Sequence, residues 1–432
     1  MATATVLLLG LSFVGKSTAN NAEAFSSDEH EFRVVSVASG LEYPWGMAFL
    51  PDGRILLTER TGDMKIWDGE SLHSISGVPA VHVSGQGGLL DIELHPDFES
   101  NARLYISHAA AYEGGAGLVV QTAILNGEAL SDVQEIFRSA DPPGGGSHFG
   151  SRLAFDSSGF LYITTGDRGT PDFAQNLGSH YGKVLRLHDD GRIPHDNPFV
   201  NEAGALPEIY SYGHRNPQGL HNDLEKDVLW LHEHGPQGGD ELNIILKGAN
   251  YGWPIATYGT NYGSGTPIGT TPDELEEVEN PITWWGPTSI APSGLTLFRG
   301  AGFPQWRNNL FLGALVQQHI RRLVVIDGQV VEEEELLRGT YGRIRDIKVS
   351  PQGELYFITD SSNASLYRIE PVQWGGWEIQ DYRVDTGKIF PGPLYIRHAP
   401  FVYLEQSKQW LYFPEPEPEA DGFWYYHFRK PE

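Results

Sequence analysis

A short hairpin pattern that recurs six times constrains the fold of this 432-residue chain more than any other feature. Each copy reads as a short apolar strand, a polar turn and a second strand rich in β-branched and aromatic residues. The copies begin at Pro44, Gly87, Gly150, Pro217, Pro292 and Arg343. Hairpins repeated at such intervals are typical of radial architectures in which each sheet packs against its neighbours. The pattern predicts an all-β six-bladed β-propeller over residues 32–371, with a pair of β-sandwiches as the alternative.

This geometry gives the residues ahead of each hairpin a shared location. In a propeller, the segments that lead into the innermost strands converge on one end of the central channel. These segments carry Trp45, Gln86, His148, Arg215 with Asn216, the sequence TSIAPSG, and Arg343. We therefore predict that they line a single pocket.

Composition limits the possible partners. A hydrophobic fraction of 40% with 12% aromatic residues can form a substantial core and excludes global disorder. The chain has 56 acidic and 30 basic residues, and its net charge of -26 repels nucleic acids and anionic membranes. Because there is no cysteine, disulfides and thiolate metal sites are excluded.

The two ends of the chain differ from the repeats. Residues 1–24 contain a short apolar run followed by small residues and predict a signal peptide, although Lys16 follows the run instead of preceding it. No later stretch reaches the roughly 20 apolar residues of a membrane span, so we expect a periplasmic or secreted protein without a transmembrane segment. Residues 372–432 are expected to form a small aromatic-rich C-terminal β extension. Its first stretch, QWGGWEIQDYRV, either closes the last blade or acts as a linker.

The segment GGGSHFGSRLAF places His148 directly before a predicted strand. An imidazole at the mouth of the pocket can act as a general base near neutral pH. The glycines would let a flat ligand approach closely, and a plain turn is the alternative. Asp167, at the end of the following strand, could orient the imidazole.

Three arginines and an asparagine could serve an anionic ligand or intermediate. Arg215, beside Asn216 in YGHRNPQGL, could stabilise an oxygen that becomes negative during a reaction. Arg343 and Arg345 alternate in YGRIRDIKVS, so both are expected to point the same way and to bind carboxylates. A capped turn at Asn216 and surface salt bridges at the last two arginines are the alternatives.

One segment, LHEHGPQGGDELNIILKGANYGWP, has the composition of a metal site. His232 and His234 alternate as zinc ligands can, but no third ligand follows at a typical spacing. Glu241 lies among glycine-rich turns that can present carbonyl oxygens, which predicts a hard cation such as calcium. A plain hairpin loop is the alternative.

Taken together, six motifs resemble those of a known family. They are PWGMAFLPDGRILLTERTG, QGGLLDIELHPDF, SYGHRNPQGL, HEHGPQGGDELN, NYGWP and RIRD, and they occur in the family's order between Phe32 and Pro371. They are similar to the soluble, pyrroloquinoline quinone (PQQ)-dependent aldose sugar dehydrogenases of the glucose/sorbosone dehydrogenase family. The resemblance implies PQQ and calcium as cofactors, an aldose sugar as substrate and an external electron acceptor.

The resemblance also implies roles for particular residues. His148 would be the base and Arg215 would lie near the developing oxyanion. PQQ would contact His148 and seven further residues, which are Gln86, Arg215, Asn216, Tyr262, Ala314, Arg343 and Arg345. The carbonyls of Gly235 and Pro236 would bind the cofactor calcium, and Glu241 with the carbonyl of Tyr251 would bind a second, structural calcium.

The chain departs from the family pattern at one position and leaves two other functions open. Val316 stands where the family has a lysine, so one cation that would balance the PQQ carboxylates is missing, and Arg321 or Arg322 could replace it. A calcium-dependent lactonase-type hydrolase is one alternative, although its metal would need several carboxylate or asparagine ligands. A non-catalytic propeller that binds glycans or protein partners is the other.

Overall fold

The computed structural model describes residues 24–113, 115–140 and 143–374, and then 377–380, 383–384, 394–396, 401–404, 408–412 and 426–428. The predicted signal peptide therefore lies outside the described residues except for Ala24. The acidic, proline-rich run at 414–421 also lies outside them.

Six antiparallel sheets follow one another along the chain and form the blades of a propeller, as the sequence predicted. Blade 1 contains Pro44–Phe49, Ile55–Glu59, Met64–Trp67 and Leu72–Ser74. Blade 2 contains Leu89–Leu94, Arg103–Tyr112, Gly115–Asn126 and Ala129–Arg138. Blade 3 contains Gly150–Phe155, Leu161–Thr165, Lys183–Leu187 and Ile209–Tyr212. Blade 4 contains Pro217–Asp223, Val228–Glu233, Asp240–Ile244 and Thr283–Trp285.

The last two blades complete a closed ring. Blade 5 contains Pro292–Leu297, Leu310–Ala314, Ile320–Ile326 and Gln329–Leu336. Blade 6 contains Ile344–Val349, Leu355–Thr359, Ala364–Pro371 and, from the N-terminal end of the chain, Glu31–Leu41 with Ala24–Ser26 at its edge. The first strand of each blade, its inner strand, contacts the inner strands of both neighbouring blades, and that of blade 6 contacts that of blade 1.

Apolar side chains are buried between the blades. Six clusters of buried residues each join two adjacent blades, and the cluster between blades 6 and 1 includes Leu41, Met47, Leu57 and Ile358. Because neighbouring blades cover the faces of each sheet near the channel, inner and second strands such as Pro44–Phe49 and Ile55–Glu59 are buried along almost their whole length. The outermost strands, such as Gln329–Leu336, are largely exposed.

The strand that closes blade 6 comes from the N-terminal region. Glu31–Leu41 pairs antiparallel with Ala364–Pro371, and Phe32 lies opposite Pro371. The stretch QWGGWEIQDYRV does not close the blade, since its strands pair within a separate C-terminal sheet. That sheet contains Gln373–Trp374, Trp377–Gln380, Arg383–Val384, Leu394–Tyr395, Phe401–Leu404, Gln409–Tyr412 and Tyr426–Phe428.

Helical structure is sparse in the described residues. The α-helix Phe98–Asn101 and three 3₁₀ turns, Pro171–Ala174, Pro272–Glu274 and Pro304–Trp306, lie in loops between strands. Within the part of the chain described, no helix is long and apolar enough to cross a membrane.

A buried arginine fills the centre of the channel. Arg152, on the inner strand of blade 3, is 2% exposed. Its Nη1 lies 3.2 Å from Asp91 of blade 2 and 3.0 Å from Asp346 of blade 6. Its Nε donates to the carbonyl of Gln218 in blade 4 at 2.8 Å, and its guanidinium carbon lies 4.2 Å from the ring centre of Trp45 in blade 1. One side chain therefore contacts four other blades.

All six inner strands also share a local irregularity. Each has a register shift close to its N-terminal end, between 44 and 46, 89 and 92, 150 and 153, 217 and 219, 293 and 295, and 344 and 346. Such bulges bend a strand and redirect its side chains, and they are common near active sites. The end of the channel where the inner strands begin, called the top, is therefore where functional groups are expected.

We predict that replacing Arg152 with Met destabilises the protein strongly. The change leaves Asp91 and Asp346 buried without their cation, which typically costs about 3–5 kcal/mol. The free energy of unfolding, measured by urea titration, should fall by that amount. Arg192→Met is a matched control, because the Arg192–Asp190 pair is exposed and its loss should cost less than about 0.5 kcal/mol. Equal stability of the two variants would contradict a structural role for the central ion pairs.

Candidate active site

His148 lies at the end of the glycine-rich loop that precedes the inner strand of blade 3. Its Nδ1 is 2.6 Å from Oδ1 of Asp167, and 16% of its side chain is exposed. Its backbone is left-handed, with φ of 52°, and its N–H donates to Oε1 of Gln86 at 2.7 Å. Left-handed backbone is unfavourable for a residue with a side chain, so these contacts hold the imidazole in one place with part of the ring exposed.

Asp167 is buried behind the imidazole and is itself held by two donors. The indole N–H of Trp253 donates to Oδ2 at 2.8 Å, and the backbone N–H of Gly169 donates to Oδ1 at 2.8 Å. Burial raises the pKa of Asp167, but the hydrogen bond and charge of His148, together with the bond from Gly169, outweigh it and leave the pKa below its ordinary value. Asp167 is therefore a carboxylate at neutral pH and favours a proton on Nδ1 of His148.

The glycines ahead of His148 bring two loops into contact. The N–H of Gln86 donates to the carbonyl of Gly146 at 2.7 Å. A Cβ atom placed on Gly85 would lie 2.4 Å from that same carbonyl oxygen. Gly85 therefore has no room for a side chain, and close backbone packing joins the loops before blades 2 and 3.

Two adjoining cavities occupy the top of the channel. The histidine cavity has a volume of about 430 Å³, and its lining includes His148, Arg215, Gly235, Pro236, Tyr262 and residues 287–289. The arginine cavity has a volume of about 350 Å³, and its lining includes Trp45, Arg60, Arg343, Arg345 and Asp360. The residues that line both are Gln86, Asn216, His234, Ala291 and Val316. The structure thus brings the segments ahead of all six hairpins to one place.

Arg343 and Arg345 share one carboxylate. The Nε of Arg343 lies 2.9 Å and Nη2 of Arg345 lies 3.0 Å from Oδ2 of Asp360. Burial raises the pKa of Asp360, but the charges and hydrogen bonds of the two arginines outweigh it and lower the pKa. Arg345 is buried, and its Nε has no hydrogen-bond partner among the described residues. One negative charge therefore faces two guanidinium groups, which leaves the wall of the cavity cationic.

Arg215 and Asn216 join the two cavities to blade 4. The Nη1 of Arg215 donates to the carbonyls of His234 and Gly235 at 3.1 and 2.7 Å. Asn216 is 2% exposed, and its Oδ1 accepts the N–H of Gly150 at 3.3 Å. Arg215 is also buried, and within the described part of the chain its Nε has no hydrogen-bond partner. A cation with an unused donor thus lies in the wall beside the imidazole.

A serine, a histidine and a glutamate below Arg215 have the order of a hydrolase triad. The Nε2 of His214 is 2.9 Å from Oγ of Ser211, and its Nδ1 is 2.8 Å from Oε1 of Glu233. The exposed fractions are 0% for Ser211 and His214 and 4% for Glu233, so no substrate can reach the hydroxyl. Glu233 also accepts the backbone N–H of Arg215, which makes this a structural network that fixes the arginine.

His232 and His234 are not arranged as zinc ligands. The Nε2 of His232 is 2.8 Å from the carbonyl of Gly294, and that of His234 is 2.8 Å from the carbonyl of Pro292. Burial lowers the pKa of His232 to about 3. Both are therefore neutral donors that join blade 4 to blade 5.

The residues predicted to bind calcium fall into two neighbouring places. Gly235 and Pro236 line the histidine cavity. Glu241 and Tyr251 line a much smaller cavity of about 10 Å³, together with Glu233. Glu241 lies opposite Glu233 in the strand pairing of blade 4. Burial, and then the charge of Glu233, raises the pKa of Glu241 well above its ordinary value.

Three sequence expectations on blade 5 are not met. Ala314 is fully buried at the end of its strand and lines neither cavity at the top, whereas Leu315 and Val316 do. Arg321 cannot replace the missing lysine, because it is bound to Glu333 and Glu335. Arg322 lies outside both cavities as well, in contact with Glu334 and Asn309.

Three residues of the site were not predicted from the sequence. Arg60 lines the arginine cavity and donates to the carbonyl of Gly85 at 2.6 Å, but it follows the second strand of blade 1 instead of preceding an inner strand. Asp360 likewise follows the second strand of blade 6. Trp253 contacts Asp167 from a loop 86 residues further along the chain. The only sequence signal for Trp253 was its place in the motif NYGWP.

The fold and site define the class of protein: a six-bladed propeller with a carboxylate-bound histidine and a cationic cavity at one end of its channel. The family model described as Glucose / Sorbosone dehydrogenase matches residues 41–368, and the chain belongs to this family. It is accordingly an oxidoreductase, and the resemblance in its motifs is confirmed.

Named relatives agree with this assignment. The chain is 42% identical over 338 residues to aldose sugar dehydrogenase YliI of Escherichia coli, covering 77% of this chain and 91% of that protein. It is 28% identical over 409 residues to quinoprotein glucose dehydrogenase B of Acinetobacter calcoaceticus, covering 76% and 85%. The PQQ-bound aldose sugar dehydrogenase of Streptomyces coelicolor matches with a TM-score of 0.65 at 30% identity, covering 78% of this chain and 98% of that one.

Proposed function

We propose that this protein oxidises aldose sugars at the anomeric carbon to lactones, with PQQ and calcium as cofactors, His148 as general base and an external electron acceptor. The observation that carries the proposal is the pair formed by His148 and Asp167 at a cavity walled by guanidinium groups. The relatives named above include sugar dehydrogenases, a quinoprotein and a PQQ-bound structure. When bound, PQQ would supply a quinone that accepts hydride, and calcium would polarise that quinone as a Lewis acid.

His148 has the geometry required of the base. With Nδ1 bonded to Asp167, its Nε2 has a free lone pair that can accept the proton of the anomeric hydroxyl. Asp167 then stabilises the imidazolium, and Trp253 keeps the carboxylate from turning away. The cation of Arg215, in the wall of the same cavity, would stabilise negative charge that develops on an oxygen.

The cationic lining fits a flat cofactor with several carboxylates. Asp360 balances the charge of only one of the two guanidinium groups of Arg343 and Arg345, so these arginines would also bind carboxylates of the cofactor. The Nε atoms of Arg345 and Arg215, which have no hydrogen-bond partner among the described residues, could donate to the cofactor as well. Arg60 adds a third guanidinium to the arginine cavity and has no carboxylate partner in the described part of the chain. We infer that Arg60 supplies the charge that Val316 does not. Gln86, Asn216 and the exposed Tyr262 would complete the contacts.

The residues expected to bind calcium have oxygen donors of the kind that calcium binds. Gly235 and Pro236 line the histidine cavity, where the carbonyl of Gly235 also accepts a hydrogen bond from Arg215, and Glu241 and Tyr251 line the smaller cavity. Carboxylate and carbonyl oxygens are the ligands that calcium prefers. We propose that the first pair holds the cofactor calcium and that the second holds a structural one.

The hydrolase alternative would need several carboxylate or asparagine ligands, but Asp360 is the one acidic residue and Asn216 the one asparagine among the described residues that line the two cavities. Among the described residues, no group of three or more histidine and acidic side chains could hold a metal ion. A propeller that only binds glycans or partners has no use for a base held by a buried carboxylate. The predicted signal peptide supports a periplasmic or secreted location.

We predict that purified protein given PQQ and calcium reduces an artificial electron-accepting dye when an aldose is added. His148→Gln should lower kcat about 10²- to 10⁴-fold, because the proton acceptor is lost, while binding of PQQ, measured by calorimetry, should still be detected. His73→Gln is the control, since His73 is exposed and pairs with Asp68 away from the site. No dye reduction by the wild type with any aldose would refute the proposed reaction.

We predict that Arg60→Gln weakens PQQ binding. Loss of one charge-assisted hydrogen bond, worth about 1.5–3 kcal/mol, corresponds to a roughly 10- to 100-fold rise in Kd. Val316→Lys should have the opposite effect. Arg54→Gln, which removes an arginine of the same blade that pairs with Asp52 outside both top cavities, is the control. An unchanged Kd for Arg60→Gln would show that its charge does not reach the cofactor.

We predict that calcium stabilises the protein through Glu241. Added calcium should raise the Tm of the PQQ-free wild type, and a chelator should reverse the rise, because a ligand that binds only the folded state stabilises it. Glu241→Gln should abolish most of this response, whereas Asp190→Asn, at an exposed site, should retain it. The same calcium-dependent rise in both variants would exclude Glu241 as a ligand.

A further inference from the structure

Arg168, the residue after Asp167, contacts the loop that carries His148. It is 3% exposed, and its Nη2 donates to the carbonyls of Gly145 at 2.8 Å and Ala116 at 3.1 Å. Its Nη1 donates to the carbonyl of Ser147. The guanidinium therefore bonds to the backbone three residues before His148 and directly before it.

The guanidinium also lies over an aromatic ring. The guanidinium carbon of Arg168 lies 3.5 Å from the ring centre of Phe149, the residue after His148. Its hydrogen-bond partners in the described structure are backbone carbonyls, and its own backbone is left-handed, with φ of 58°. A buried cation on strained backbone is unfavourable unless its contacts compensate. All but one of those contacts are to the loop of residues 145–149.

Two consecutive residues thus hold the same loop in different ways. Asp167 binds the imidazole of His148, and Arg168 binds the backbone on one side and the ring of Phe149 on the other. The loop ahead of His148 is rich in glycine and has few side chains of its own to pack. Without Arg168, the loop carbonyls of Gly145 and Ser147 would lose the guanidinium group that donates a hydrogen bond to each of them.

We propose that Arg168 is a positioning residue that sets where the imidazole of His148 stands in the cavity. The inference rests on the proposed function, because it assigns Arg168 a role through the base. Arg168 itself does not line either of the two top cavities. Its replacement should therefore lower kcat and leave the binding of PQQ unchanged. Displacement of a catalytic group by about 1 Å can lower the rate about 100-fold.

A double-mutant cycle tests the coupling. Arg168→Met should lower kcat with dye and aldose by about 10- to 100-fold, with a Kd for PQQ within about twofold of the wild type. In the His148→Gln background, the same change should lower kcat by less than about twofold, because the base it positions is gone. Multiplicative effects of the two changes would overturn the proposal. Arg168→Lys, which keeps a cation, serves as a second variant if Arg168→Met does not fold.

Arg186 provides a matched control. It is another buried arginine of blade 3, its guanidinium carbon lies 3.8 Å from the ring centre of Phe160, and it pairs with Asp196 away from the site. Arg186→Met should reduce stability without coupling to His148→Gln. A cycle with the same coupling for Arg186 would indicate a general effect of lost stability.

Hydrogen–deuterium exchange tests the loop independently of activity. Amide exchange over residues 143–149 should accelerate in Arg168→Met and remain at the wild-type rate in Arg186→Met. Unchanged exchange in Arg168→Met would overturn the proposal even if kcat falls. If the wild type oxidises no sugar, the proposed function fails, and the exchange experiment still decides whether Arg168 holds the loop.

Discussion

The structure depends on one buried cation at the centre of the ring. Arg152 reaches from blade 3 to Asp91 and Asp346 and also contacts blades 4 and 1. Ion pairs buried to this extent contribute little net stability against an apolar core, but they specify which groups must meet. Because these contacts join five of the six blades around one guanidinium, we take Arg152 as the floor of the site at the top of the channel.

The site lies above this floor in the segments that precede the inner strands. Each inner strand has its bulge at the level of the floor, so the residues before it are no longer bound to regular ladder positions and can turn into the cavity. The result is a cluster of cations in a chain whose net charge is -26. Net charge governs long-range repulsion, whereas ligand binding depends on charges within about one Debye length of 8–10 Å. The arginine cavity can therefore attract an anionic cofactor in an acidic protein.

Much of this could be predicted from the sequence, and the exceptions have physical causes. The hairpins identified the blades because local strand pairing leaves a local pattern, and the segment ahead of each inner strand identified residues such as His148 and Arg215. The strand that closes blade 6 was not predicted, since Phe32 pairs with Pro371 across most of the chain. Arg60 and Asp360 follow second strands, where a charge is usually a solvated turn residue. Ala314 was assigned to the cavity although its strand remains buried to its last residue.

The reactive histidine lies on a loop, yet its surroundings are as constrained as those of a strand. Loops carry function because they can vary, but catalysis requires a fixed geometry, and the two demands conflict. Here three loops meet at His148: the backbone is held by Gln86, the imidazole by Asp167, and Asp167 in turn by Trp253. Each of these bonds joins a different segment of the chain, so none can shift without disturbing the others. The order of the site therefore comes from contacts between loops, and the base is positioned before any ligand arrives.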